Sequence, residues 1–248
     1  MAKHRFYLPA ERWNPESLVL EGEEAHHCLD VMRCREGDCV VVFNGAGTEA
    51  EAEITATSRG SVTLSARIVV TTPRPPAAIT LGQAVPKGKN MDLIIQKATE
   101  LGASRLVPLL SERTVVQLDG EDLEKKRQKW QRLAIEACKQ CGQNWVPEVA
   151  VPAKVETFVR RVEDSLRLIA AIGPGSRSLK TLLAERIHAG EPHPTAATVM
   201  IGPEGDFTPA EISTALSHGF LPLSLGPIIL RSETAAIYAL SITGHELM

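Results

Sequence analysis

Short alternating or apolar runs between turn residues fill the first 72 positions of the chain. Arg5 to Leu8, Ser17 to Leu20, Asp38 to Asn44, Thr48 to Thr55 and Val62 to Val70 each read as a strand. One helical period interrupts them, from Glu23 to about Arg33, with Ala25, Leu29 and Met32 at helical spacing. The pattern predicts a small β-barrel with one helix over residues 1–72. Thr71-Thr72-Pro73-Arg74-Pro75-Pro76 then breaks regular structure and reads as a linker.

Beyond the linker, over residues 77–248, strands alternate with helices. Ile79 to Val85, Arg105 to Leu110, Leu166 to Ile172, Thr198 to Ile201 and Leu221 to Leu225 read as strands. The helices are Met91 to Leu101, with Asn90 as a cap and Gly102 as a stop, then Glu121 to Cys141, Ser178 to Ala189, and Ser232 to about Glu246. In the long helix, Leu123, Trp130, Leu133, Ala134, Ala137 and Cys141 fall on one side. Thr208-Pro209-Ala210-Glu211 is a capping box with proline at the first helical position, in a helix that Gly219 ends. This alternation predicts an α/β domain with a mostly parallel sheet covered on both faces.

Composition narrows the classes. The chain has 248 residues, few aromatics and a net charge of −3, so its core is aliphatic and it does not coat nucleic acid by bulk charge. Local basic patches are still allowed. No apolar stretch reaches the roughly 20 residues that span a bilayer. Met1-Ala2-Lys3-His4-Arg5-Phe6 lacks the apolar core of a signal peptide, which leaves a cytoplasmic location as the expectation. The five cysteines are Cys28, Cys34, Cys39, Cys138 and Cys141, an odd count that points to reduced thiols. Cys138 and Cys141 have C-x-x-C spacing, but no second pair completes a zinc site, and the helical period places both on an apolar side. The alternative, in which His26-His27-Cys28 supplies the missing ligands, requires contact between distant segments.

One motif misleads. Gly45-Ala46-Gly47-Thr48-Glu49-Ala50 satisfies the G-x-G-x-x-A dinucleotide pattern directly after a strand. That mechanism needs a helix next, so that its N-terminus meets the pyrophosphate. Glu49-Ala50-Glu51-Ala52-Glu53-Ile54 alternates instead, so Asn44-Gly45 reads as a hairpin turn.

Two glycine-proline turns near the end of the chain hold the chemistry. Ile201-Gly202-Pro203-Glu204-Gly205-Asp206-Phe207 and Leu225-Gly226-Pro227-Ile228-Ile229-Leu230-Arg231-Ser232-Glu233-Thr234-Ala235 each follow an apolar strand and precede a helix. Glycines at such junctions let a ligand meet bare backbone beside a helix N-terminus. A single instance reads as a tight turn; two in succession, the second ending in Arg231-Ser232-Glu233-Thr234, read as a site. No P-loop lysine pattern accompanies them, which argues against a triphosphate.

With these stretches the chain resembles the RsmE family of small-subunit (16S) ribosomal RNA methyltransferases, within the SPOUT class. Arg5-Phe6-Tyr7, His26-His27, Val31-Met32-Arg33, Lys87 to Asp92, Gln96 to Gly102, Ser111-Glu112-Arg113, Glu136 to Cys141 and Val146-Pro147 extend the likeness in order along the chain. Three positions depart from the family pattern: Asp206 stands where a glycine is usual, and Gln143 and Ile228 stand where arginines are usual.

The resemblance implies a PUA-like RNA-docking barrel at 1–72 and, at 77–248, a SPOUT domain whose end threads a trefoil knot. It also implies a homodimer, S-adenosylmethionine as methyl donor with no metal, and N3 of a uridine in 16S ribosomal RNA as acceptor. Ile201, Gly202, Pro203, Gly205, Leu225, Gly226, Ile229, Leu230, Thr234 and Ala235 are then the donor-binding positions. Arg231, Glu233 and Glu204 are the catalytic candidates: a cation stabilises charge on the base, while either carboxylate accepts the N3 proton or orients Arg231. The other reading of Arg231 is a structural ion pair with Glu233 or Glu204. Thr234 either caps the last helix or binds the base. Arg5, Arg33, Lys87, Lys97 and Arg113 are candidate RNA contacts, each also readable as a solvated surface charge. Lys125, Lys126, Arg127 and Lys129 read as an exposed helix face, and Trp130 and Trp145 as core or dimer contacts. Two rival functions are a non-catalytic dimeric RNA-binding module and a nicotinamide-dependent oxidoreductase built on Gly45.

Overall fold

Alternation and helical periods separate into two units in the structure, a computed structural model that describes residues 4–114, 120–171, 173 and 175–248. Residues 1–74 together with 135–146 form one contact unit, and residues 75–134 with 147–248 form the other.

In the first unit, β1 (Arg5–Tyr7), β2 (Leu18–Glu21), β3 (Cys39–Phe43), β4 (Thr48–Ser58) and β5 (Ser61–Thr71) make one sheet in the order β1-β3-β4-β5-β2. Only β1 and β3 pair in parallel. Both edges feed the same core, Phe6 from one side and Leu18 and Leu20 from the other, so the sheet wraps around Val40, Val42, Ala50, Ile54 and Val62. Irregularities between Glu51 and Ala52 and between Ile54 and Ala56 bend the long hairpin, as bulges do.

The predicted helix is interrupted. α1 (Gly22–His26) passes into a wider π-type turn over His27–Val31. The extra residue per turn shifts the buried face, so Cys28 enters the core with Ala25 while Met32 is exposed. β3 runs into β4 as an antiparallel hairpin through Asn44–Gly47, with the Asn44 side chain accepting from the Ala46 and Thr48 N–H groups. A strand therefore follows the glycines, and the dinucleotide reading fails for want of a helix.

Residues 135–146 complete this unit through specific contacts. Asn144 accepts from the Arg5 guanidinium at 2.8 Å and donates to the Thr72 hydroxyl at 2.9 Å. The Trp145 indole N–H donates to the Thr72 and Pro73 carbonyls, and Arg74 stacks on its ring 4.7 Å from the centroid. The Lys139 ammonium, 7% exposed, pairs with Glu24.

The second unit is a wholly parallel sheet. It contains β6 (Ala78–Ala84), β7 (Arg105–Leu110), β8 (Glu148–Val149), β9 (Ala153–Lys154), β10 (Leu166–Ala170), β11 (Ala196–Ile201) and β12 (Leu221–Leu223). The order is β12-β10-β11-β6-β7-β8, with β9 also on β7. Alternate residues of each strand enter opposite cores. Leu81, Leu106, Leu168 and Val199 meet α2 (Asn90–Glu100), the first part of α3 (Glu121–Cys141), α5 (Leu179–His188) and α7 (Ser232–Leu247). Ala84, Val107, Ile169 and Met200 meet α4 (Val155–Val159) and α6 (Pro209–Ser217). Both faces are covered, as the alternation required.

Some expectations are corrected. Asn90 does not cap α2; it is the first helical residue, Lys89 precedes it without a side-chain cap, and the Asn90 amide reaches Glu233. Cys138 is buried but Cys141 is exposed, because α3 runs out of apolar surface in its last turn. The predicted end of β10 at Ile172 lies outside the described residues. The capping box at Thr208 and Glu211 forms in full. No described helix is long and apolar enough to cross a membrane.

Candidate functional site

The C-terminal ends of β10, β11 and β12, neighbours in the sheet, converge on one concavity, where open parallel sheets place their ligands. Its volume is about 480 Å³. Ile201, Gly202, Pro203 and Glu204 form one wall, and Leu225, Gly226, Ile229, Leu230, Arg231 and Ala235 form another. Gly205, Glu233 and Thr234 lie off the walls. Sequence reasoning missed the third wall, Ala170, Ala171, Gly173 and Ser176, together with Leu223 and Ser224. The signal available was Ala170-Ala171 at the end of an apolar strand, followed by glycine.

The first turn is held from several sides. The Ser232 hydroxyl donates to the Gly202 carbonyl at 2.7 Å and accepts from the Gln83 amide at 2.9 Å. Gln83 is buried, and its Oε1 has no partner among the described residues. Glu204 accepts from the Lys87 backbone N–H at 3.0 Å, and Arg113 donates to the Gly205 carbonyl at 2.6 Å. Asp206 adopts φ +61°, a left-handed conformation that short polar side chains tolerate better than others. Its Oδ1 accepts from the Phe207 N–H at 2.7 Å. The departure from glycine is thus accommodated by local hydrogen bonding.

The second turn is bare by comparison. Gly226 has φ +110°, which glycine alone adopts easily, and a Cβ there would meet nothing within 4 Å. Ile228 and Ile229 are 75% and 80% exposed. Arg231 precedes α7 in extended conformation, and no side chain caps the helix, so Thr234 has no capping role. Uncapped N–H groups at a helix start favour an anionic group nearby.

Glu204 and Glu233 take other partners, Lys87 N–H and Asn90, and Arg231 makes no side-chain ion pair among the described residues. The wall therefore carries an uncommitted guanidinium beside an anchored carboxylate, within a largely apolar cavity. That arrangement can stabilise developing negative charge on a planar ligand while aliphatic side chains cover its faces.

The candidate RNA contacts differ in availability. Arg5 is spent inside its unit, 14% exposed, paired with Glu49 and stacked on Phe43. Lys97 pairs with Glu100. Arg33 is exposed at φ +57°, and Lys87 and Arg113 are exposed. Lys125, Arg127 and Lys129 pair with Glu121, Glu124 and Asp92 along an exposed face. Trp130 is buried, its indole directed to Asp92. Burial pushes the Cys28 and Cys138 thiols up to about 12, which leaves them protonated and unreactive. Among the described residues no group of three or more His, Cys, Asp or Glu side chains is placed to hold a metal.

Residues 73–244 match a family described as an RNA methyltransferase domain, and residues 20–66 match an RNA methyltransferase PUA domain. Ribosomal RNA small subunit methyltransferase E of Bacillus subtilis (strain 168) is 33% identical over 93% of this chain and 90% of its own length. A protein of Legionella pneumophila, solved with its bound cofactor SAM, is 37% identical with a TM-score of 0.87, covering 98% of this chain and 97% of that one. The ribosomal RNA small subunit methyltransferase E of Neisseria gonorrhoeae, solved bound to S-adenosyl methionine, is 30% identical with a TM-score of 0.85, covering 98% of each chain.

Proposed function

The chain belongs to the ribosomal RNA small subunit methyltransferase E family, and from that premise we propose that it methylates N3 of a uridine in 16S ribosomal RNA. The donor is S-adenosylmethionine, bound where the two glycine-proline turns and the end of β10 meet. The cavity fits: about 480 Å³ lies within the range of roughly 300–1,000 Å³ usual for small-molecule sites, and its walls are aliphatic with few charges. The bare backbone at Gly226 and the uncapped start of α7 suit an adenosine and a carboxylate, respectively.

When bound, the donor supplies an electrophilic methyl group on a sulfonium. The S–CH₃ bond breaks as N3–CH₃ forms, the electron pair stays on sulfur, and the N3 proton must leave. Arg231 stabilises the charge that develops on the uracil oxygens, since no described carboxylate forms an ion pair with it. Glu204, on the wall and anchored by Lys87 N–H, accepts the proton. Glu233 supports the site from behind through Asn90. Gly205 serves by its carbonyl, which holds Arg113, and Thr234 is exposed off the cavity walls.

Residues 1–72 form the RNA-docking module and 77–248 the methyltransferase domain, whose end forms the trefoil that the resemblance implies. Arg33, Lys87 and Arg113 contact phosphates, whereas Arg5 and Lys97 serve within their own units. The exposed apolar residues Ile229 and Tyr238 favour a homodimer, and a ribosomal RNA substrate implies the cytoplasm. The observation that carries this reading is the convergence of Arg231 and both turns on one cavity. The test is mass mapping of methylated uridines in 16S ribosomal RNA from cells with and without the protein. Loss of a single N3-methyluridine, restored by the intact gene, is the expected result.

A further inference from the structure

We infer that the Asp206 carboxylate makes the pocket prefer the sulfonium donor over the demethylated product. The inference rests on the donor reading above. Donor and product share every atom except one methyl group, whose departure removes the positive charge from sulfur. Shape distinguishes them poorly, because one methyl in an open pocket is a small difference. Only a charge facing the reaction centre separates them well.

Among the described residues three charged side chains line the cavity: Glu204, Asp206 and Arg231. Glu204, anchored by the Lys87 N–H, has the proton-accepting role toward the acceptor, and Arg231 would favour the neutral product. Asp206 is fixed on both sides. Its backbone sits at φ +61°, and its Oδ1 is held by the Phe207 N–H at 2.7 Å. The carboxylate lies over Gly202, where a Cβ would come within 2.8 Å of that oxygen. Its second oxygen makes no hydrogen bond among the described residues. Glycine adopts this backbone conformation freely and a side chain does so only at a cost. A carboxylate held there, in the wall of the donor cavity, favours the cationic ligand without tightening the hold on the neutral one.

Calorimetric titration of the full chain with S-adenosylmethionine and with S-adenosylhomocysteine tests this without turnover. Asp206→Asn removes the charge and keeps the shape; Asp206→Gly removes it and relaxes the backbone. In both variants the ratio of donor to product affinity should fall by roughly three- to tenfold, the size of one partly screened charge pair. The change should reside in the donor. An unchanged ratio, or equal weakening of both ligands, would overturn the proposal and leave Asp206 as a turn residue. Binding of neither ligand to the unaltered protein would overturn it together with the donor reading.

Discussion

The two glycine-proline turns share a sequence device and differ in how the fold treats them. Around Gly202 three other segments supply hydrogen bonds, through Ser232, Lys87 and Arg113, and the turn adds its own from the Phe207 N–H to the Asp206 carboxylate. Around Gly226 the turn has one weak local bond, from its N–H to the Ser224 hydroxyl at 3.3 Å, and two exposed isoleucines. The first turn is preformed and provides shape. The second is accessible and ends in Arg231, the one group on the wall suited to stabilise negative charge. Shape and chemistry are thus divided between two copies of one motif.

The strongest way to break this division is to remove the chemistry alone. Arg231→Ala should lower single-turnover methylation by about a hundred- to a thousandfold, as loss of one charge-stabilising donor does. Donor affinity should stay within a few-fold. Lysine should rescue only partly, because it offers a point charge without the planar fork. A rate near that of the unaltered protein would move the catalytic role to Glu204. Folding is checked by the melting temperature of each variant.

Valine at the two glycines compares the turns directly. At Gly202 a Cβ meets Asp206 Cα and the Phe207 nitrogen, both at 3.2 Å, so backbone must move. Gly202→Val should therefore lose both measurable donor binding and stability. At Gly226 the space is open and the cost is the positive φ, about 1–3 kcal/mol. Gly226→Val should weaken donor binding with a smaller fall in melting temperature. Equal falls in both variants would erase the distinction between a braced and an open turn.

Ser232 is the clasp that makes the first turn rigid. Ser232→Ala leaves the Gly202 carbonyl without that hydroxyl donor and removes one acceptor from buried Gln83. The expected cost is about 1–3 kcal/mol, seen as a melting temperature lower by several degrees. Donor affinity should fall with it. Full stability in this variant would mean the turn is held by the Asp206 and Arg113 bonds instead.

How much of this was legible in the sequence follows the range of the interactions. The capping box at Thr208, the hairpin at Asn44–Gly47 and the stops at Gly102 and Gly219 depend on residues a few positions apart, and all formed. The helical period in α2 was readable because Met91, Ile94, Ile95 and Ala98 are all buried on one face. The clasp joins residues 30 and 149 positions apart, and nothing local announces it. The third wall of the cavity, Ala170, Ala171, Gly173 and Ser176, lies at and beyond the end of a strand whose neighbours in the sheet are distant in sequence. Short elements such as β8, β9 and α4 carry too few residues for a period.

The linker shows the same limit. Proline spacing marked residues 73–76 as a place where few contacts cross, so that a cut there would leave residues 77–248 intact. Yet Asn144 and Trp145 bind Thr72 and Pro73, and 135–146 belong to the first contact unit. A fragment beginning at residue 77 would expose buried Cys138 and strand Asn144, so it should be less stable than the full chain.

The smallest effect is expected at Ile228, and it sharpens the view of the second turn as a surface open to a large substrate. The side chain is 75% exposed while still touching the donor cavity, so a charge there is open to an RNA docked over that cavity. A substitution at such a position should change stability by no more than about 0.5 kcal/mol. Ile228→Arg adds one charge to a net charge of −3, at a position where the resembling family usually has arginine. Binding to 16S ribosomal RNA should tighten a few-fold at low salt. The slope of log affinity against log salt should steepen by roughly 0.7–0.9, one counterion's worth. Donor binding in the absence of RNA should weaken by less than the RNA complex tightens, because solvent screens so exposed a side chain. A tighter complex with no change in salt slope would place the new guanidinium on a base or on protein, and an unchanged affinity would mean the open turn does not face the RNA.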